Sequence, residues 1–396
     1  MAMLRSGRRQ ILAPLLIATA PGLPGAPRAA KAKEPEAAVE ARIHHLIPAI
    51  EAYVADGMKA FDLPGLAIGI VAHDRLVYSR GFGVRSKGGP PVDTRTVFQI
   101  GSATKGFLSA TLALMVDRGK LGWSDRVVDL YPDFRMMDPW VTNEFRVFDL
   151  LAQRSSLPPY VNDALGLFGL DEAALIHSLR HVAPVSSFRS TFAYTNVTHM
   201  LAGRIVAKAA GVADWNAVLR AELLDPLGMG GSSYSAEAIE AAPNHANGHR
   251  WAPSGTVEVP FTQLFPYDFM GAGDINSTVE DMAHWLRLQL GSGTFEGHTI
   301  LSTANLAVTR TAKVGMTDRL SYALGWVVQQ TPNGSIVWHN GGTSSFGAYV
   351  GMLLDRDVGI VVLSNESNVG LPDAIGQWTL DRILGNPEVD HVAHAL

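Results

Sequence analysis

The chain has 396 residues, 47% hydrophobic and 17% charged, with a formal net charge of -5 at pH 7 and no cysteine. That length allows two domains, or one large domain with an insertion, and enough apolar residues for a sizeable core. The negative balance argues against nucleic acid, which demands a basic face, and the lack of cysteine excludes disulfides, thiolate metal sites and a Cys nucleophile.

Arg5, Arg8 and Arg9 precede an apolar stretch at 11–20, and Pro- and Ala-rich sequence continues to residue 30. This is the layout of an export signal, with small residues near a cleavage point at 26–30. The stretch is too short and too Pro-interrupted to span a bilayer. Gly7-Arg8-Arg9-Gln10-Ile11-Leu12 also resembles a twin-arginine signal. A periplasmic or secreted protein without stable membrane insertion is therefore expected, with residues 1–30 as its signal.

Residues 37–60 read as an amphipathic helix with Val39, Ile43, Leu46, Ile47, Ile50 and Val54 on one face. Two strands, 66–72 and 76–83, flank a His73-Asp74-Arg75 turn. An apolar helix at 102–118 stops at Gly119. The middle, roughly 141–230, is helical and punctuated by Pro and Gly, with helical periodicity at 171–181, 197–210 and 214–224. Strand patterns return at 322–329, 335–339, 346–353 and 358–365, joined by turns such as Pro332-Asn333-Gly334 and Asp355-Arg356-Asp357. A helix at 371–384 closes the chain. This order predicts an α+β fold in which one antiparallel sheet is assembled from both ends of the chain. N- and C-terminal helices flank that sheet, and an all-helical domain is inserted. The expected boundaries are 37–135 and 265–390 for the sheet domain and 136–264 for the helical one.

Three short motifs carry candidate chemistry. Ser102-Ala103-Thr104-Lys105 opens the apolar helix, and residues three apart share a face, so Lys105 Nζ falls near Ser102 Oγ. The unpaired N–H groups of the first turn lie beside that hydroxyl. Alone, such a pair more often marks a solvated lysine near a helix cap. Tyr194-Thr195-Asn196 stands where a loop enters the helix 197–210, with Asn196 placed as its N-cap. His339-Asn340-Gly341-Gly342 ends a strand, where small residues let a ligand approach an edge backbone, or simply form a turn. His177 and His181 lack the Glu of a zinc-binding H-E-x-x-H helix and read as a solvated face. His245 and His249 read as loop residues. Phe261, Phe265, Tyr267 and Phe269 suit an acyl pocket and core packing equally.

Taken together, S-x-x-K, Y-x-N and H-x-G, about ninety and about one hundred and forty residues apart, resemble one family of serine hydrolases. This is the class C β-lactamase and penicillin-binding-protein family, also called the S12 peptidase or β-lactamase-related group. Phe148-Asp149-Leu150-Leu151-Ala152-Gln153-Arg154-Ser155-Ser156-Leu157-Pro158 resembles its LLtHtSGLP segment. Met270-Gly271-Ala272-Gly273-Asp274 and the following residues to Met282 resemble its Gly-rich turn and helix. The resemblance implies a β-lactamase/transpeptidase-like fold and a set of roles. Ser102 is the nucleophile that forms an acyl-enzyme, and Lys105 takes or relays its proton with a lowered pKa. Tyr194 is a proton shuttle, and Asn196 orients the substrate amide or Lys105. His339 and Gly341 contact substrate, and the backbone N–H groups of Ser102 and Gly342 form the oxyanion hole. No metal and no cofactor is called for. The partner is a small peptide or ester substrate, and the oligomeric state stays open.

Two departures stand out. Where β-lactamases carry Lys-Thr-Gly this chain has His339-Asn340-Gly341, a side chain mostly neutral at pH 7 in place of a permanent cation. That resembles certain D-alanyl-D-alanine carboxypeptidases and D-aminopeptidases of the family. It favours a peptidase acting on cell-wall-type, D-residue-containing or linearised nonribosomal peptides, ahead of an esterase or a β-lactamase. A non-catalytic peptidoglycan- or acyl-binding protein is the alternative from another class; the joint presence of Ser102, Lys105 and Tyr194 argues against it. Gln153, Arg154 and Ser156 replace the usual His, Thr and Gly, where altered packing is expected.

Overall fold

The apolar stripe of the first helix, α1 (Glu36–Phe61), buries Val39, Ile43, Leu46, Ile50 and Val54. The computed structural model describes residues 34–262, 265–367 and 370–395, so the expected signal at 1–30 lies outside the described residues. Strands β1 (Gly65–Ala72) and β2 (Arg75–Gly83) follow as a hairpin. His73 and Asp74, with φ of 47° and 64°, form its left-handed two-residue turn. A 3₁₀ turn, Gly101–Ala103, leads into α2 (Thr104–Asp117), which is buried all round from Thr104 to Met115. Helices α3 (Val197–Ala210) and α4 (Val279–Leu290) come next. Then follow β3 (Val314–Gly315), β4 (Leu320–Tyr322), β5 (Val327–Thr331) and β6 (Gly334–Gly342). Strands β7 (Gly347–Leu353) and β8 (Val358–Ser364) and helix α5 (Leu371–Leu384) end the series.

The strands form one eight-stranded sheet in the order β2-β1-β8-β7-β6-β5-β4-β3. Every pairing in it is antiparallel. The N-terminal hairpin and the last strand meet next to one edge, where Leu66 of β1 faces Ser364 of β8 and Ala72 faces Val358. Alternation along each strand splits the side chains between two cores. Leu66, Ile68, Ile70, Ile360 and Val362 pack with α1 and α5. Ala67, Val71, Val361 and Leu363 pack with α2 and α4. Each Leu, Ile or Val among them contributes about 1.5–3 kcal/mol of burial free energy, so a one-residue slip of register would be costly.

The second core does not stop at the sheet. Leu150, Ile176, Leu201 and Leu219 from the helical middle share it with Phe107 of α2, whose ring stacks on Trp285 of α4 at 3.9 Å between centroids. From Glu34 onward the chain is one compact unit. Helix α2 thus lies between sheet and helical block with no solvent-facing side.

The α+β architecture expected from the sequence is the one observed, but the block expected at 136–264 is not all-helical, because Gly248–Arg250 pairs antiparallel with Val257–Val259. The strand read at 322–329 is two strands, because residues 323–326 turn, closed by the Ala323 N–H on the Trp326 carbonyl at 2.7 Å. His249 is not a loop residue. It is fully buried in the short strand Gly248–Arg250, with Nδ1 2.9 Å from the Asn365 carbonyl. No helix among the described residues is long and apolar enough to cross a membrane.

Candidate active site

Ser102 sits in the 3₁₀ turn just before α2, against the end of β6. The fit there is backbone on backbone. A Cβ on Gly341 would fall 1.9 Å from the Ile100 carbonyl oxygen, and one on Gly101 would fall 2.8 Å from the Gly342 nitrogen. Gly101 also has φ of 49°, a left-handed conformation that disfavours side chains. These glycines bring the Gly342 edge up to the Ser102 turn.

Lys105 projects from the first turn of α2 and is 0% exposed. Its Nζ is 3.1 Å from Ser102 Oγ, 2.8 Å from Asn196 Oδ1 and 2.7 Å from the Ala272 carbonyl oxygen. Loss of hydration on burial lowers its pKa to about 7, against the opposing pull of the Asp163 and Asp274 carboxylates. The helix-start geometry read from S-x-x-K is present, although the serine occupies the 3₁₀ turn and not the α-helix itself.

Asn196 precedes α3, but its side chain does not cap that helix. It reaches the site instead: Oδ1 accepts from Lys105, and Nδ2 donates to Asp163 Oδ2 at 2.7 Å. With a carboxylate on one side and an amine on the other, the amide has only one sensible orientation. Tyr194 holds its ring 4.8 Å from Lys105 Nζ. Desolvation pushes its phenol pKa upward, with a hydrogen-bonding interaction from Ser102 as a smaller opposing effect. The phenol therefore keeps its proton at neutral pH.

The loop carrying Tyr194 and Asn196 is clamped by Gln153. Its Nε2 donates to the Thr195 carbonyl at 3.1 Å, and its Oε1 accepts from the Thr195 N–H at 2.7 Å. The Gln153 backbone carbonyl also takes the Ala193 N–H at 2.8 Å. The neighbouring departures are likewise structural. Arg154 and Arg189 both pair with the buried Asp149, at 3.0 and 2.6 Å. Ser156, where the family has Gly, still takes a left-handed φ of 69°, a strain of about 1–2 kcal/mol.

His339 presents no charge. It is buried, with Nε2 2.9 Å from the Tyr322 hydroxyl and Nδ1 2.5 Å from the Asn340 carbonyl oxygen. The carbonyl can only accept, so Nδ1 carries the proton and Nε2 accepts from Tyr322. Burial, with Lys105 as a like-charged neighbour, pushes the imidazole pKa down to about 3. Both ring nitrogens are thus committed inside the protein.

Ser102, Tyr194, Asn196, His339 and Gly342 line one cavity of about 480 Å³, with Lys105 and Gly341 packed behind it. Of the aromatic cluster before the Gly-rich turn, Phe265 and Phe269 line this cavity. Tyr267 is buried on Gln99 and Asn276, and Phe261 stacks on Phe346. Three contributors have no site role assigned from the sequence: Asp163, and Gln153 and Asp274, which stand out there only within family-like segments. Asp274 accepts from the Gly271 N–H at 2.8 Å and the Trp215 indole at 3.2 Å, fixing the turn whose Ala272 carbonyl receives Lys105. Burial raises its pKa to about 7.

A serine hydroxyl hydrogen-bonded to a buried amine, on this sheet-and-helix scaffold, has the geometry of a Ser–Lys nucleophile pair. The Beta-lactamase family model matches residues 50–383, and the chain belongs to that family. It is 26% identical over 333 residues to an unguisins hydrolase of Aspergillus campestris, covering 79% of this chain and 60% of that protein. It is 28% identical over 299 residues to penicillin-binding protein 4 of Amycolatopsis lactamdurans, covering 72% of this chain and 70% of that one. The octameric penicillin-binding protein homologue from Pyrococcus abyssi shares the fold with a TM-score of 0.77 at 25% identity, covering 87% of this chain and 79% of that one. The chain therefore spans about three-fifths of the unguisins hydrolase's length (60%).

Proposed function

We propose that this protein is an exported hydrolase that opens an amide or ester bond of a small peptide or acyl compound through an acyl-enzyme on Ser102, with peptides preferred. One observation carries the reading: the bonding around Lys105 Nζ. A neutral amine has two N–H bonds and one lone pair. Asn196 Oδ1 and the Ala272 carbonyl can only accept from it, so they take the two N–H bonds. The lone pair is left for Ser102 Oγ, and a pKa of about 7 makes that neutral form available near neutral pH.

The steps follow from that arrangement. Lys105 Nζ takes the Ser102 proton as Oγ bonds to the substrate carbonyl carbon. The oxygen that gains negative charge is held by the backbone N–H groups of Ser102 and Gly342, each such donor being worth about 3 kcal/mol. The C–N or C–O bond breaks, and the departing atom takes the Tyr194 phenolic proton, which Lys105 restores. Water then attacks the acyl carbon, giving its proton to the same pair. The carboxylic acid leaves and Ser102 recovers its hydrogen.

Peptide preference is supported by the neutral His339 in place of a cation and by the likeness to an unguisins hydrolase. The test is to compare kcat/KM on a chromogenic cephalosporin, a p-nitrophenyl ester and a panel of D- and L-peptides. Peptides should lead; a cephalosporin turned over much faster than every peptide and ester would reverse the ranking. Export is supported by the arginines and apolar stretch at 5–20. N-terminal sequencing of the mature protein after expression in a bacterial host should place the cut at 26–30.

A further inference from the structure

The walls of the cavity are nearly uncharged. Besides Tyr194, six aromatic side chains line it: Tyr160, Phe192, Phe265, Phe269, Tyr322 and Trp338. Two of these turn their polar tips away, Tyr322 onto His339 Nε2 and the Trp338 indole onto Gln329 Oε1 at 2.9 Å. Their rings add apolar surface to the lining, suited to apolar side chains. Among the described residues, the lining holds no Lys or Arg, and its one carboxyl belongs to Asp163. His339 has no free nitrogen, and the amine of Lys105 is fully engaged beside Ser102. A substrate carboxylate in this space would find no free cation and would face Asp163, and a charge that loses water without gaining a partner is costly.

We infer that the site takes uncharged substrates: peptide or acyl compounds with bulky apolar groups and no carboxylate beside the scissile bond. Internal bonds of cyclic or end-blocked peptides and neutral esters meet that description; bonds next to a free C-terminus do not. This rests on the proposed Ser102 chemistry and names the substrate class for it.

The experiment uses Ser102→Ala, so that binding is read without turnover. Matched N-acyl aromatic dipeptides, ending either as the free acid or as the carboxamide, are titrated by calorimetry. The carboxamide should bind at least about tenfold tighter, the low end of what a single-group mismatch costs in a pocket. Met316 also lines the cavity, and Met316→Lys in the same background should supply the missing cation and narrow or reverse the gap. A free acid that binds as tightly as the carboxamide, a gap unmoved by Met316→Lys, or no binding of either ligand would overturn the inference. The Ser102 reading is checked separately by turnover of the carboxamide in the wild-type protein, so the two can fail independently.

Discussion

The candidate site has two unlike walls. On the sheet side, the end of β6 meets the Gly101–Ala103 turn through glycine backbone, and His339 is immobilised by both of its nitrogens. On the helical side, Asn196 bonds both Asp163 and Lys105, the Tyr194 ring lies against Lys105, and Gln153 holds the loop of Tyr194 and Asn196. In the proposed mechanism the first wall receives developing negative charge and the second moves protons. The contrast teaches why the two tolerate change differently: the sheet wall fails when any atom is added, the helical wall when a particular group is removed.

Ser102 stands between the walls, and its loss should have the largest effect. Ser102→Ala should cut turnover by about 10⁴-fold or more, measured on the best substrate of the panel with circular dichroism to verify the fold. On the helical wall, Lys105→Ala and Tyr194→Phe should each lower kcat by at least about 10²; near wild-type rates in either would remove that group from the proton path. The sheet wall is tested by addition. Gly341→Ala puts a methyl 1.9 Å from the Ile100 carbonyl and should cost about 10²-fold in kcat through displacement of the strand edge.

Gln153→Ala should be milder, lowering kcat by roughly tenfold with KM little changed, because it loosens the Tyr194 loop without removing a reacting group. The smallest effect is a shift in pH dependence. Turnover should rise with pH through an apparent pKa of about 7, since protonated Lys105 cannot accept from Ser102. Asp163 holds that pKa up, so Asp163→Asn should move the rising limb to lower pH. Stability carries the same sign. The folded-state pKa of Lys105 lies below its unfolded value of 10.5, so the unfolded chain binds the extra proton between about pH 7 and 10.5. Raising the pH across that window should stabilise the fold relative to Lys105→Met, with the full penalty of the buried ammonium felt below it.

The parts of the site legible in the sequence share a physical basis. Ser102 and Lys105 lie three residues apart, so local helical geometry sets their distance, and an apolar run announces the burial that shifts the amine. The hairpin, α3 and α5 likewise follow from periodicity and turn residues. What escaped depends on contacts between distant segments. Asp163 meets Asn196 across 33 positions and Gln153 meets Thr195 across 42, and nothing near either residue marks the partner. Asn196 was legible as a helix cap by its position, yet a nearby carboxylate and amine drew its side chain elsewhere. His339 is similar: its identity signals a departure from a lysine, but its neutrality follows from burial and from Tyr322 on a neighbouring segment.

The central claim is that Ser102 is made nucleophilic by a neutral Lys105. Its most direct measurement is the rate of covalent labelling by a fluorophosphonate, followed by intact-mass spectrometry from pH 5 to 10. The account predicts a single adduct mapped to Ser102, absent in Ser102→Ala, forming faster as pH rises through about 7 and losing that dependence in Lys105→Ala. Labelling that persists in Ser102→Ala, or a rate indifferent to pH in the wild-type protein, would contradict it.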